Sequence, residues 1–382
     1  MNTLASSSNI PRNSPRITVP QQTRPKANSE VKITVISTAR DCWGAEESLI
    51  TLVEQWHRAG HDLVLLSTSE ELCKRWNKLL ANDSAIIWRP NRTRLARVLQ
   101  ALGALRSAKL RGDALLIWSY ELTPLSLLPR SVLRHKSVVL DLHDRLRGWR
   151  GQALLKALSR RCDQIVSNSQ FSADFLSRHS YVVLTRSVES PICDPVYGGV
   201  MEGKPFTVSV VGRIEPSKNH ALALLAMNGM PEVYLSIRGS ADAADIQFEL
   251  ELRKIAAALL QNRVQFTGRL DAACLYQGVT VLLVCNADEA MGRTVLEAAA
   301  RGIPALVPHR GGSAELVEDG VTGWHYRANS AKDLRLKIQE IRKSPEWVAS
   351  AGLRARTEVS RNSPESYAQK YARAIEHSIS QP

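Results

Sequence analysis

NADEAMGRTVLEAAARG, residues 286–302, follows the apolar run VTVLLV (279–284) and opens a helix. The order is strand, short loop, helix. The stretch carries two glutamates, Glu289 and Glu297, with seven residues and Gly292 between them. A helix N-terminus behind a strand end presents outward N–H groups and a dipole that favours negative charge, a natural cradle for phosphate or sugar. Glu289 falls on the loop and Glu297 about one turn into the helix. The two carboxylates are expected to face one cleft from different heights, as hydroxyl acceptors.

Working outward, PFTVSVVGRIEPSKNHALALLAM (205–227) reads as strand, loop and helix, with Arg213 and Lys218 in the loop. Two cations at a strand end beside a helix start suit a diphosphate. VYLSIRG (233–239) is a strand ending at Gly239. A helix (243–259), the strand VQFTGRL (264–270) and a short helix around Tyr276 follow. Beyond the central helix, IPALVPHRGGSAELVEDGVTGWHY (303–326) places Gly311-Gly312 before Ser313, an anion-friendly turn or a plain flexible loop. Helices are expected at 331–343, 345–358 and 364–378.

The first half alternates in the same way. Strands are read at 31–37, 61–68, 84–89, 113–118, 136–144 and 163–169. Helices run between them to about 59 and over 92–110, 122–133, 148–161 and 170–178. Such alternation implies α/β architecture with parallel sheets covered on both faces. Ligands in such sheets bind beyond the carboxyl ends of the strands. Gly44, His143 with Asp144, and Asn168 with Ser169 follow strands and so become candidates. Gly44 is either a close-approach glycine or a turn glycine. His143 either meets a sugar hydroxyl or is a structural histidine bonded to a loop carbonyl. No G-x-G-x-x-G follows the first strand, so a dinucleotide fingerprint is absent.

The alternation restarts near 205, so two domains are expected. The boundaries are a disordered basic tail at 1–29, a first Rossmann-like domain at 30–198, a second at 199–362, and a helix at 363–382 crossing back to the first. SVESPICDPVYGG (187–199) reads as the linker. Of 382 residues, 44% are hydrophobic and 23% charged, as in soluble globular chains. No window reaches the ~18–20 apolar residues of a membrane span. The tail lacks the apolar segment of a secretory signal, so a cytoplasmic protein is expected, with a cleaved organellar transit peptide as the alternative. The six cysteines are scattered without C-x-x-C and are expected to be buried hydrophobes, not a zinc site or disulfide framework.

The net charge of +13 is uneven: residues 1–199 carry +11 and residues 200–382 carry +2. The first half therefore attracts anions. Residues 92–110 form a basic amphipathic helix, with Leu95, Val98, Leu99, Leu102 and Leu105 on one face and Arg92, Arg94, Arg97, Arg106 and Lys109 largely outside it. A second basic stretch, 145–161, contains Trp149. Two readings stay open: core-facing helices with solvated basic faces, or docking to an anionic membrane surface, which would make the protein peripheral at the inner face. No nucleic acid is expected, because aromatic interleaving and reader motifs are missing.

Taken together, VGRIEPSK, VQFTGRL and the run from Glu289 through RGIPALVPHRGGSAELVEDGVTGW resemble the retaining nucleotide-sugar glycosyltransferases of family 4, glycosyl transferases group 1. The resemblance spans about 31–380 and implies the GT-B fold, two Rossmann-like domains facing across a cleft. It also implies a nucleotide-diphosphate sugar as donor. Arg213 and Lys218 would bind the diphosphate and neutralise the leaving group. Glu297 would bond the ribose hydroxyls. Glu289 would contact the sugar hydroxyls beside the N–H groups of Gly292, Arg293 and Thr294. His143 would meet the transferred sugar, and Gly44 would lie close to phosphate or acceptor. Gly212 and Gly239 would line the donor site, with Arg269 and Leu270 where the base lies. The chain departs from the usual pattern at Cys285-Asn286 (commonly Pro-Ser), at Ala290-Met291 before the glycine (commonly an aromatic) and at Trp43-Gly44 (commonly Gly-Gly).

No Asp-x-Asp occurs in the chain. Neither a metal nor another cofactor is expected, and the cations and helix dipoles would stabilise the leaving diphosphate. The expected activity is retaining transfer of a hexose to an acceptor hydroxyl, through an oxocarbenium-like transition state. The acceptor is left unknown, with a lipid-linked saccharide or polysaccharide precursor suggested by the charge asymmetry. The alternatives are a catalytically silent GT-B binding protein and a nucleotide-sugar epimerase or hydrolase.

Overall fold

The computed structural model describes residues 30–40, 42, 44–89, 93–144, 148–176, 181–186 and 205–380. The expected 1–29 tail and 187–199 linker lie outside these residues, as do Arg92, Arg145, Arg147 and Cys193.

The first alternation runs β1 (Lys32–Ile36), α1 (Gly44–Arg58), β2 (Asp62–Ser67), α2 (Glu70–Leu80), β3 (Ala85–Ile87), α3 (Arg94–Ser107), β4 (Gly112–Ile117), α4 (Arg130–Leu133), β5 (His135–Leu142), α5 (Trp149–Ser159), β6 (Gln164–Ser167), α6 (Gln170–Ala173) and β7 (Val182–Val183). The second runs β8 (Phe206–Val211), α7 (His220–Met227), β9 (Val233–Arg238), α8 (Ile246–Leu260), β10 (Val264–Gly268), β11 (Val281–Leu283), α9 (Arg293–Ala300), β12 (Ala305–Pro308) and β13 (Gly323–Tyr326). Helices α10 (Ala331–Arg342), α11 (Pro345–Ser360) and α12 (Pro364–Ser380) close the described chain.

The strands form two sheets, ordered β3-β2-β1-β4-β5-β6-β7 and β10-β9-β8-β11-β12-β13. Every named strand pair is parallel. This is the expected α/β architecture of two parallel-sheet halves. The strands read as near-continuous apolar runs because both faces are covered by helices. In each sheet the order reverses beside the first strand, between β1 and β4 and between β8 and β11. Those reversals open the crevices where ligands bind in such sheets.

Helix α12 joins the first core, although it follows the second sheet in the chain. Tyr367, Tyr371 and Ile375 pack with Leu49, Trp56 and Val35. The Trp56 and Tyr371 rings meet edge-on at 5.3 Å, and Trp56 Nε1 donates to Ala368 O at 3.1 Å. Burying several large side chains of one helix, at about 1.5–3 kcal/mol each, fixes it to the first sheet.

Several expected elements differ. The helix read over 122–133 is a 3-10 segment, Tyr120–Leu127, followed by the single turn of α4. Pro124 lies inside that segment and has no N–H for an α-helical ladder. The short helix around Tyr276 is a series of turns over 272–278. Of the helix expected at 170–178, the described residues form α6 and the 3-10 turn Asp174–Leu176, and residues 177 and 178 lie outside them. In α3 the buried stripe is Ala101 and Leu105, whereas Leu95 (73% exposed) and Leu99 point out. Arg97 turns inward instead, to an ion pair with Glu121. Cys42, Cys73 and Cys285 are buried as expected, but Cys274 is exposed.

Candidate active site

At the carboxyl end of the second sheet, β8 and β9 are followed directly by Gly212 and Gly239, and β10 finishes on Gly268. Gly239 N–H donates to Gly268 O at 2.9 Å, and Gly212 N–H donates to Arg238 O at 3.0 Å. A Cβ on Gly239 would fall 1.9 Å from Gly212 O, so only glycine lets the strand ends close this tightly. The chain leaves β8 through Arg213, whose guanidinium lies 3.2 Å from Asp242 and 3.3 Å from Glu215. It then makes the 3-10 turn Pro216–Lys218. Lys218 Nζ donates to Glu289 Oε2 at 2.7 Å. Asn286 braces the same oxygen, with Nδ2 at 3.1 Å, while its Oδ1 accepts from Asp288 N–H at 3.0 Å. The loops after β8 and β11, the two strands flanking the reversal, are thus joined by one ion pair.

Gly292 caps α9 with φ 93°. Arg293 and Thr294 form the helix's first turn, and Glu297 follows one turn on. Its carboxylate accepts from Arg293 Nε at 2.7 Å and from Tyr276 OH at 2.8 Å. Burial, reinforced by the Glu297 charge, pushes the Tyr276 phenol well above its ordinary range, so it remains a donor. Arg293 also reaches the first sheet, where Nη1 donates to Ser48 Oγ at 2.7 Å. Ser48 in turn donates to Gly44 O at 2.8 Å, and a Cβ on Gly44 would lie 3.2 Å from Arg293 Cδ. Arg269 is exposed and Leu270 half-buried, just past β10.

Gly312 N–H is spent on Glu289 O at 2.7 Å. Cβ atoms would lie 2.8 Å from Ala287 O at Gly311 and 2.0 Å from Ala290 O at Gly312. The pair lets one loop back directly onto the loop that carries Glu289.

In the first sheet, His143 directly follows β5. Its Nδ1 donates to Asp141 Oδ1 at 2.8 Å, and Asn168 Nδ2 donates to its carbonyl at 3.0 Å. Burial alone would depress the imidazole. The hydrogen bond to Asp141 and the nearby Asp144 outweigh it and hold the ring above the usual histidine value. Ser169 Oγ and Ser172 Oγ both donate to Ala290 O, across from the second sheet. Glu315 accepts from the Gln170 and Phe171 N–H groups at 2.8 and 2.6 Å. The histidine side and the glutamate side are therefore stitched together.

Two family models match the two halves of the chain: Glycosyltransferase Family 4 over residues 44–183 and Glycosyl transferases group 1 over residues 199–358. The chain belongs to the GT-B glycosyltransferases. A relative from Rhizobium leguminosarum bv. viciae, the lipopolysaccharide core biosynthesis mannosyltransferase LpcC, is 25% identical over 348 residues, 87% of this chain and 92% of that one. A D-inositol 3-phosphate glycosyltransferase of Mycolicibacterium paratuberculosis is 32% identical over 120 residues, only 30% of this chain and 27% of its own length. Among solved structures, Anabaena HepE in complex with UDP and glucose superposes with a TM-score of 0.78 at 18% identity. That match covers 91% of this chain and all of the other, and it fixes the fold.

In this glycosyltransferase, several partners of the candidate residues escaped sequence reasoning: Asp141, Arg186 and Tyr371 around His143, Tyr276 on Glu297, and Ser48 on Arg293. Asp141 stood in the strand read at 136–144, Tyr276 in the short helix read around it and Tyr371 in the helix read at 364–378, but no role was read for any of them. Among the described residues, no group of three or more His, Cys, Asp or Glu could hold a metal ion, and no helix is long and apolar enough to cross a membrane. A cavity of about 1140 Å³ lies behind α9, lined by Val182, Leu296, Ile303, Val359 and Tyr367 among others. None of His143, Lys218, Glu289 or Glu297 lines it, so the candidate site is the cleft at the strand ends, not this cavity.

Proposed function

We propose that this glycosyltransferase moves a hexose from a nucleoside-diphosphate sugar to an acceptor hydroxyl, with retention and without a metal. The observation that carries the reading is the meeting of Lys218 with Glu289, where the loops after β8 and β11 converge beside the N-terminus of α9. A sugar held by Glu289 would have its diphosphate next to Lys218, Arg213 and the N–H groups of Gly292, Arg293 and Thr294. Glu297 would take the ribose hydroxyls, kept in position by Tyr276, and Arg269 with Leu270 would flank the base. Gly212, Gly239 and Gly44 would let the backbone approach the phosphates. The C1–O bond to the diphosphate breaks as the acceptor oxygen bonds to C1 on the same face. The acceptor's proton passes to the leaving phosphate oxygen, whose charge the two cations stabilise. His143 would present Nε2 to the transferred sugar.

Nucleotide-sugar donors are supported by the UDP and glucose bound to HepE, and a polysaccharide or lipid-linked acceptor by the name of the Rhizobium relative. The test is a thermal-shift panel of UDP-glucose, UDP-galactose, GDP-mannose and ADP-glucose, with and without EDTA. A bound donor stabilises the fold by mass action, and EDTA should not change the shift. The anomer of the product is read by NMR. A product with inverted anomeric configuration removes retention, and full donor stabilisation in Glu297→Ala removes the ribose role.

Docking to an anionic membrane is the second part of the reading. Helices α3 and α5 both pack on the 120–127 segment, and this region leaves Leu95, Leu99, Leu127, Trp149 (74%) and Leu154 exposed near Arg150, Lys156 and Arg160. An apolar patch among basic groups is the pattern of an interfacial surface. Sedimentation with anionic liposomes should show salt-sensitive binding that is lost in a Trp149→Ala, Leu99→Ala double variant. Binding unchanged by both salt and the substitutions would remove this part.

A further inference from the structure

We propose that Asp141 is a positioning residue for His143, and that Arg186, just past β7, and Tyr371, on the C-terminal helix, are the anchors that hold Asp141 in register. This inference rests on the assignment of His143 to the transferred sugar.

Asp141 is buried near the end of β5 and accepts three hydrogen bonds. His143 Nδ1 and Arg186 Nη2 both meet Oδ1 at 2.8 Å, and Tyr371 OH meets Oδ2 at 2.8 Å. A carboxylate so occupied serves the ring, not an acceptor. With Nδ1–H committed to Asp141, Nε2 is the ring atom left to meet a substrate, and the tautomer is fixed. The ring plane is set as well. The Trp118 indole lies 5.2 Å away, tilted by 38°, and the Arg186 guanidinium covers the Trp118 ring at 4.7 Å.

Stability is a poor reason for this arrangement. Buried ion pairs roughly break even against apolar packing of equal volume. Here Arg186 Nη1 is buried without a hydrogen-bond partner, which costs more. The same residues do something apolar side chains could not: they tie the orientation of a cleft histidine to α12 and to the end of the first sheet. The charged and titratable groups around the ring are Asp141, Asp144 and Arg186, with Tyr367 and Tyr371 from α12 and Glu46 from α1 behind Arg186. Burial alone would raise Asp141, but Arg186 and the bonds from His143 and Tyr371 hold it below the usual carboxylate range, so it stays ionised.

The test uses the full chain. Histidine ring nitrogens are followed by NMR on ¹⁵N-labelled protein from acid to alkaline pH, with His143→Gln assigning the signal. In parallel, nucleoside diphosphate release is measured with whichever of UDP-glucose, UDP-galactose or GDP-mannose stabilises the fold. The wild-type ring should titrate above the free value of about 6.5 and carry its neutral-state proton on Nδ1. Asp141→Asn should lower the midpoint by about one unit or more and slow release about 100-fold, with donor stabilisation retained. Tyr371→Phe keeps the ring packing and carries the test should Asp141→Asn not fold; it should slow release about tenfold without a matching loss of donor stabilisation. An unchanged His143 titration and wild-type release in both variants, while His143→Gln is slow, overturns the proposal and leaves the donor-site reading standing. Wild-type release in His143→Gln removes the sugar contact itself, and the inference with it.

Discussion

Replacing Gly312 by alanine tests whether the cleft depends on one loop backing onto another. The added Cβ would sit 2.0 Å from Ala290 O, 2.5 Å from Ala290 C and 2.8 Å from Met291 Cα. Atoms do not tolerate approaches much below 3 Å, so one of the two backbones must retreat by about 1 Å. Ala290 resists, because its carbonyl accepts from Ser169 and Ser172 across the cleft. Gly312 also resists, because its N–H is held by Glu289 O at 2.7 Å. Glu289 itself is therefore displaced. A misplacement of about 1 Å at a reacting centre costs about 100-fold in rate, and overpacking costs about 1–3 kcal/mol of stability. Gly312 has no positive φ, so backbone strain does not contribute. The assay is nucleoside diphosphate release together with thermal melts, with and without donor. The expected result is a folded protein, a few degrees less stable, with release down about 100-fold. Gly103 supplies the control: it lies inside α3 with open space around it, so Gly103→Ala should gain about 1 kcal/mol and keep full activity. Wild-type release and donor stabilisation in Gly312→Ala would refute the argument that this contact positions Glu289.

Other predictions address single groups. Lys218→Met keeps the aliphatic stem and removes the charge; kcat should fall about 10²–10³-fold, and a raised KM at unchanged kcat would make Lys218 a ground-state ligand only. Tyr276→Phe removes the donor to Glu297 Oε2; calorimetric affinity for UDP should weaken about tenfold, and an unchanged affinity would show that Glu297 needs no such support. His220 is buried, without a partner on either ring nitrogen, and burial, assisted by Lys218, pushes it down to about 4. The folded ring stays neutral while the unfolded chain takes up a proton near 6.5. The associated stability is complete above about pH 6.5 and is lost as pH falls toward 4, by roughly 3 kcal/mol in all. Urea midpoints should follow that slope, and His220→Leu should flatten it.

The fold was legible because both sheets are parallel and covered. VKITVIS, KSVVLDLHD and PFTVSVV are apolar on both faces, and each is followed by a helix period, a pattern that admits few architectures. Short edge elements gave weaker signals: β7 has only two residues and was not recognised as a strand. Leu95 and Leu99 satisfied the helical period but not the burial: Ala101 and Leu105 occupy the inward face of α3, and Arg97 pairs with Glu121 on another element. Gly311-Gly312 read as an anion-friendly turn or a flexible loop, whereas added Cβ atoms there would meet the protein's own backbone at Ala287 and Ala290.

The partners of the candidate residues were hidden for a different reason. Arg186 and Tyr371 lie 45 and 230 positions from Asp141, and neither distance leaves a periodic trace. Yet the topology confines where such partners can arise. Helix α12 crosses to the first sheet and packs beside β5, so its inward residues face the strand that leads into His143. The same logic separates the two glutamates of 286–302. Glu289 sits on a loop and pairs with Lys218 from the neighbouring strand end. Glu297 sits on a helix and is held by Arg293 one turn earlier and by Tyr276 from the preceding turns. Their spacing in sequence suggested one clamp, but their supports do not overlap. Effects of the Lys218 and Tyr276 substitutions on donor binding should therefore add in the double variant, as expected for sites without shared partners. A strong coupling between them would instead mean that the loop and the helix move as one body around the donor.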